Sequence, residues 1–215
     1  AVQDAEGLEL VARLDVGDRI VPATLGGAQV AVDFTVPDVT EANVHALIEA
    51  GVDDIEHGSG IDADQASEIA ARGIAVTPTL RQVELFKDFA AQAGAKYPVY
   101  AATMQGMYDA RRSHFQMLVD SGVLLLMGTD SGGYQEHGTI AGELDLWLQR
   151  GAPAEFVIDA ATWVSQRYLG YPGLVEGGPA DFLILDEDPR DDPTILTKPA
   201  RVTVGGTSVW ERPSA

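Results

Sequence analysis

Two stretches, GVDDIEHG at residues 51–58 and GVLLLMGTDSG at residues 122–132, decide the fold of this chain. Each is a strand-like run that leads into a residue able to bind a metal, His57 in the first and Asp130 in the second. Parallel barrels present their catalytic side chains at the carboxyl ends of their strands. We therefore expect His57 and Asp130 to converge, a few ångströms apart, over the mouth of a parallel sheet.

Strand-like and helix-like segments alternate along the chain, which predicts βα units and a parallel sheet. Strands are predicted at 28–35, 52–57, 74–79 and 123–130, and helices at 39–50, 63–72, 99–119 and 140–150. Gly51, Gly73 and Gly151 follow three of the helices, at the position where glycine commonly ends a helix. Further strands are predicted within 180–185 and 201–210, after a segment rich in glycine and proline.

Composition limits the classes of function. The chain has 215 residues, 46% of them hydrophobic, and a net charge of −19, which opposes binding to nucleic acid or to an anionic membrane surface. There is no cysteine, so any metal would need nitrogen and oxygen ligands. We see no apolar run long enough to cross a membrane and no secretory signal pattern, and therefore expect a cytoplasmic protein.

Five motifs in order resemble the metal-dependent amidohydrolase superfamily. They are GVDDIEHG, TPTL, GVLLLMGTDSG, HGTIAGEL and GPADFLILDEDPRDD, and they correspond to the C-terminal half of the family, nearest to its imidazolonepropionase-like and Xaa-Pro dipeptidase-like members. The resemblance runs from about Ala28 to the end of the chain. It implies an α/β fold, a partial (β/α)₈ TIM-type barrel of about the last four βα units at 1–176, with a small C-terminal β-sandwich element at 177–215.

The resemblance also implies a metal site, with zinc as the expected metal and two ions in the family. The family's strands supply a His-x-His pair, a carboxylated lysine, two further histidines and an aspartate. His57 matches the histidine of the sixth strand, and Asp130 matches the aspartate of the eighth, which binds metal and transfers protons. Asp33 stands where the histidine of the fifth strand is expected, as a third metal ligand or as a polar strand-end residue without that role.

The other family ligands are absent. No His-x-His pair occurs, and the first lysine, Lys87, follows the sixth-strand motif. A complete barrel takes about 250 residues, more than this chain has. The chain could be a fragment that lacks an N-terminal segment, could be completed by a partner chain or another copy, or could be a shortened homologue. Alone, it should bind zinc weakly or not at all and hydrolyse nothing efficiently, because a catalytic zinc takes about three protein ligands.

Other polar residues are candidates for substrate contacts or for structure. His137 could touch the substrate or lie in a surface loop, and Arg81 could bind a substrate carboxylate or open a helix. Glu143 is expected to make a local polar contact within its helix. His57 could instead be a buried structural histidine, and Asp130 a turn residue.

The predicted function is metal-dependent hydrolysis of an amide C–N bond in a small molecule or short peptide. A divalent ion would supply activated water, and Asp130 would accept its proton and pass it to the leaving nitrogen. Two alternatives remain open. One is a degenerate barrel fragment that acts as an assembly or binding module. The other is a metal-free lyase or isomerase that uses Glu56, Asp33 and Asp130 as acids and bases.

Overall fold

The computed structural model describes residues 9–15, 17–28, 31 and 37–213. The first predicted strand, 28–35, lies almost entirely outside the described residues, and Asp33 with it. Between residues 9 and 28 the described part contains one short helix, α1 (Pro22–Leu25), and no buried residue. The hydrophobic core begins further along, at Ile48.

Three short parallel strands form the first sheet. They are β1 (Asp54–Glu56), β2 (Ala75–Thr77) and β3 (Leu124–Leu125), in the order β1-β2-β3. The connections contain the helices of βα units, as the sequence predicts: α3 (Ala63–Arg72) follows β1, and α4 (Leu80–Glu84), α5 (Phe86–Ala93) and α6 (Pro98–Asp120) follow β2. Because all three strands run the same way, their carboxyl ends meet at one edge.

The predicted helices are confirmed to within a few residues. Helix α2 (Pro37–Ala50) precedes β1, and α7 (Ile140–Gln149) lies where 140–150 is predicted. Gly73 ends α3 in the left-handed conformation, with φ of 68°. Two helices that were not predicted follow α7: α8 (Ala154–Ala161) and α9 (Trp163–Tyr168).

The core lies between this sheet and its helices. Trp147 of α7 is fully buried, with its ring 5.1 Å from Phe115 of α6 and 5.9 Å from Phe156 of α8. Such aromatic pairs bury large apolar areas, and this cluster joins three helices. Val76 of β2 and Ile69 of α3 are equally inaccessible to solvent. The helices therefore pack with the sheet around one core, and the carboxyl ends of the strands are the place where the site is expected.

A second sheet lies near the end of the chain. Strands β4 (Phe182–Ile184), β5 (Arg201–Val204) and β6 (Thr207–Glu211) pair antiparallel in that order, with Gly205 and Gly206 in the turn between β5 and β6. The region predicted to be extended at 201–210 is thus a hairpin. Among the described residues this is a single sheet, so both the predicted sandwich and the domain boundary at 176 stay predictions. No described helix has the length and hydropathy that a membrane crossing needs.

Candidate active site

His57 directly follows β1 and has a left-handed backbone. Its φ is 69°, and its N–H donates to the carbonyl of Thr77 at 2.8 Å, which continues the pairing of β1 with β2 by one residue. A positive φ is uncommon outside glycine and strains the backbone. The imidazole is partly exposed, with 42% of the side chain accessible. His57 is therefore not a buried core histidine.

Asp130 follows β3 and adopts the same kind of backbone, with φ of 53°. Its Oδ2 lies 4.0 Å from Nε2 of His57, and 47% of its side chain is accessible. The predicted convergence of these two residues is confirmed. Its cause is the sheet, because the strands before both residues run parallel and end at the same edge.

Thr79 is the third residue of the cluster, and its role was not inferred from the sequence. It is 1% exposed, has φ of 41°, and its Oγ1 lies 2.8 Å from Nδ1 of His57. Among the described residues, the non-glycine residues with positive φ are these three, which follow the strands of the first sheet by one residue (His57), two residues (Thr79) and five residues (Asp130). Strain of this kind collects at functional sites. The position of Thr79 at the end of the predicted strand 74–79 is the feature of the sequence that could have indicated it as a site residue.

One cavity of about 510 Å³ contains all three residues. Its wall also includes Gly128, whose missing side chain leaves room for Thr77: a Cβ there would lie 2.6 Å from Thr77 Cγ2. The two residues belong to neighbouring strand ends. A glycine is thus required where these ends approach each other.

The cavity is acidic. Asp54 and Glu56 alternate along β1 and line the cavity with Asp130, while no lysine or arginine is found in its described wall. Burial, then the charge and hydrogen bond of Asp54, then the charge of Asp130, raise the pKa of Glu56 to about 7. Burial and the neighbouring carboxylates also raise the pKa of Tyr168. This environment favours a cation, either a metal ion or a positively charged substrate group.

The described residues do not supply a complete metal site. Among them, no three or more His, Asp or Glu side chains are grouped so that they could hold an ion. His57 and Asp130 are two suitable donors, and Asp33, the predicted third, falls outside the described part. The chemistry of the donors fits a divalent ion, but their number is too small for a tight site.

Arg81 is not brought to this cavity. It lines a second cavity of about 550 Å³ with Tyr134 and Asp145, and its Nε donates to Oε1 of Gln135 at 2.9 Å. His137 packs against Gly132, with Cε1 3.1 Å from the place of a Cβ on that glycine. Substrate binding by Arg81 and His137 stays a prediction.

Glu143 makes the expected contact and two more. It does make the local contact, accepting a hydrogen bond from Trp147 Nε1 at 2.9 Å within α7. It also accepts bonds from the backbone N–H groups of Leu80 and Arg81, at 2.7 and 2.8 Å. The expected local contact is therefore confirmed, and the same carboxylate also joins α7 to the start of α4.

A family model covers most of the chain. Residues 27–209 match the sequence model of the amidohydrolase family. An uncharacterized Mycobacterium tuberculosis protein, Rv2915c, is 38% identical over 167 residues, 78% of this chain and 45% of that protein. An ochratoxinase from Aspergillus niger is 29% identical over 178 residues, 80% of this chain and 35% of that protein. The chain thus spans less than half the length of these relatives.

Solved structures of similar proteins also superpose on this chain. A Xaa-Pro dipeptidase structure with methionine in its active site superposes with a TM-score of 0.65 at 26% identity, over 80% of this chain and 43% of that one. The A. niger ochratoxinase structure has the same TM-score and identity, over 80% of this chain and 40% of that one.

A separate likeness covers a shorter stretch. A 4-hydroxy-tetrahydrodipicolinate reductase from Beutenbergia cavernae is 48% identical over 101 residues, 43% of this chain and 40% of that protein. This match is longer than the parts of the chain outside residues 27–209, so the two likenesses overlap. With less than half of each protein covered, it establishes no second family.

Proposed function

Because the chain belongs to the amidohydrolase family, whose fold is related to the TIM barrel, we propose that it supplies part of a metal-dependent site that hydrolyses amide C–N bonds. The observation that carries the proposal is the approach of His57 Nε2 to Asp130 Oδ2, 4.0 Å apart over one acidic cavity. The substrate class we propose is a small molecule or short peptide. The relatives named Xaa-Pro dipeptidase and ochratoxinase support this choice.

His57 and Asp130 would be ligands of divalent metal, which we take to be zinc, each for a different ion of a binuclear site, with Asp33 as a further ligand. When bound, such an ion activates water and polarises the scissile carbonyl. The contact of Nδ1 with Thr79 leaves Nε2 of His57 as the nitrogen that faces Asp130. A hydrogen bond from the second ring nitrogen of a ligating histidine fixes its tautomer and orientation. Thr79 therefore prepares His57 to act as a ligand.

Asp130 would move the proton. A carboxylate at this place can accept a proton from the attacking water and deliver it to the leaving nitrogen, since it is basic enough to accept and acidic enough to release it. Half of its side chain is open to the cavity, so a substrate amide can reach it. His137 and Arg81 are proposed contacts for the rest of the substrate.

The remaining ligands would come from outside the chain described here. An N-terminal segment, a partner chain or another copy of this chain would complete the barrel and its ligand set. The two donors that face each other in the cavity support a site shared in this way, because they form only part of the ligand set that zinc needs.

Zinc binding tests the proposal. In equilibrium dialysis of the isolated chain, we expect weak binding, with a Kd above the micromolar range, that weakens at least tenfold in His57→Ala and in Asp130→Ala. His45→Ala is the matched control and should bind as the unaltered chain does, because His45 contacts Gln65 and Glu68 on α3 instead. Equal affinity in all four proteins would refute the ligand roles. Stoichiometric zinc that resists a chelator would refute the incomplete site.

A second candidate is metal-free acid–base chemistry in the same cavity, as in a lyase or isomerase. The pKa of about 7 at Glu56 favours it, because an acid–base group works best when its pKa is close to the working pH. Activity that survives chelation and is lost in Glu56→Gln would support this candidate over the hydrolase.

A further inference from the structure

The carboxylate of Glu143 is buried within the protein and yet fully engaged. The residue is 0% exposed, and three N–H groups donate to it: Leu80 N and Trp147 Nε1 to Oε1, and Arg81 N to Oε2. Burial raises its pKa, while these three hydrogen bonds act in the opposite direction. A buried acid of this kind needs a structural or functional reason, because desolvation of a carboxylate is costly.

The reason lies at the start of α4. Thr79 is the N-cap of this helix, and a threonine there normally accepts a hydrogen bond from an N–H of the first turn. Here Thr79 makes no such bond, because its backbone is left-handed and its hydroxyl contacts His57 instead. The N–H groups of Leu80 and Arg81 would lack a partner in a buried place. Glu143 supplies it from α7.

We propose that Glu143 is a positioning residue for His57: it caps α4 in place of Thr79, and so leaves the Thr79 hydroxyl to orient the imidazole. The connection is short, since Leu80 and Arg81 directly follow Thr79 in the chain. A shift of these two N–H groups therefore moves Thr79 itself. The functional importance of His57 in this inference rests on the proposed function, whereas the hydrogen bonds that connect Glu143 to His57 do not.

A second connection reaches Asp130 from the same point. Arg81 donates through Nε to Oε1 of Gln135, and the amide of Gln135 donates to the carbonyl of Thr129 at 2.8 Å. Thr129 is the residue before Asp130. Glu143 thus holds the start of α4, from which contacts extend to both residues of the site.

The test is the tautomer of His57, measured by two-bond ¹H–¹⁵N NMR on the metal-free chain labelled at histidine nitrogen. In the unaltered protein we expect one tautomer, with the proton on Nδ1 facing Thr79. In Glu143→Gln the amide NH₂ replaces one acceptor oxygen, so the ratio of the two tautomers should change about tenfold, the effect of losing one hydrogen bond. Thr79→Val removes the hydroxyl directly and should give the same change.

Controls separate positioning from stability. Ile69→Ala removes buried side-chain volume from α3, and it should lower stability but leave the His57 signals unchanged. Glu143→Asp keeps the charge but is one methylene shorter, and it provides a second folded variant if Glu143→Gln does not fold. Loss of the single tautomer in either Glu143 variant supports the proposal. Unaltered His57 signals in a folded Glu143 variant, or the same change in Ile69→Ala, overturn it.

The outcome is independent of the proposed hydrolase activity. The NMR signals are recorded without metal or substrate, so a failed zinc titration leaves the positioning result standing. Conversely, zinc binding could depend on His57 while the His57 tautomer stays the same in the Glu143 variants. That result would overturn this inference and leave the proposed function standing.

Discussion

Removal of the Glu84 carboxylate should strongly destabilise the protein. Its Oε1 accepts hydrogen bonds from Arg111 Nε at 2.9 Å and from Arg150 Nη2 at 2.5 Å, so one oxygen of α4 joins α6 to the end of α7. The Arg150 side chain is only 2% exposed, and its Nη1 has no partner among the described atoms. Arg111, in contrast, keeps a stacking contact with Tyr108, 3.7 Å from its ring centre.

Glu84→Ala leaves the guanidinium of Arg150 buried without the carboxylate that it directly contacts. Removal of one partner of a buried ion pair costs about 3–5 kcal/mol. Glu84 itself is 32% exposed, which allows some water to enter, so we expect a loss of about 3 kcal/mol in the free energy of unfolding. Glu84→Gln keeps an acceptor oxygen but loses the charge, and should cost about 1–2 kcal/mol. In a chain of this size a loss of 3 kcal/mol lowers Tm by about 6–12 °C.

Urea unfolding followed by circular dichroism measures these differences, with Asp188→Ala as the control. Asp188 and Arg190 also form an ion pair, but their side chains are 37% and 75% exposed. Such a surface pair contributes little to stability, because solvent screens it. Replacement of both Glu84 and Arg150, by Ala and Met, should restore part of the loss, because the Arg150 guanidinium is then no longer buried without the carboxylate that it contacts. A Glu84→Ala protein within about 0.5 kcal/mol of the unaltered one would refute the reasoning.

Two further predictions concern the walls of the site. Because the pKa of Glu56 is raised to about 7 in the folded chain from 4.5, the metal-free protein should lose stability as pH rises through that window, and Glu56→Gln should abolish this loss. Solvent screening limits this loss of stability to about 1 kcal/mol. Urea unfolding at pH 5 and at pH 8 measures the loss. A Glu56→Gln protein that loses as much stability between these pH values as the unaltered protein would contradict the prediction. Gly128→Ala should cost about 1–3 kcal/mol, since the new Cβ meets Thr77, whereas Gly133→Ala, with nothing within 4 Å, should be neutral in the same assay. Equal stability of the two alanine variants would show that the strand ends are not in close contact.

Much of the fold was predictable because its signals are local. The runs that lead to His57 and Asp130 indicated parallel strands, and both strands form, with β3 limited to two residues and ending five residues before Asp130. Helices α8 and α9 were not predicted because they have only eight and six residues, and helical periodicity is weak over so few positions. The hairpin turn at Gly205 and Gly206 was likewise read as part of one extended region.

The site was predictable only in part, for a different reason. The contact of Thr79 with His57 depends on a left-handed backbone at Thr79, and residue type does not favour that conformation. The separation of Arg81 from the cavity of His57 follows from its hydrogen bond to Gln135, 54 positions later in the chain. Neither feature has a signature in a short stretch of sequence.

The sequence by itself determined which residues end the strands and which chemistry they offer, because hydrophobic runs and strand-end residues are properties of neighbouring positions. It also determined the family, through the order and spacing of its motifs. Only the tertiary structure decided how the site is held: the bond from Glu143 to Leu80 spans 63 positions, and it forms because the core packs α7 against the start of α4. Burial then makes that bond necessary, since the N–H groups at this turn have no water to bind.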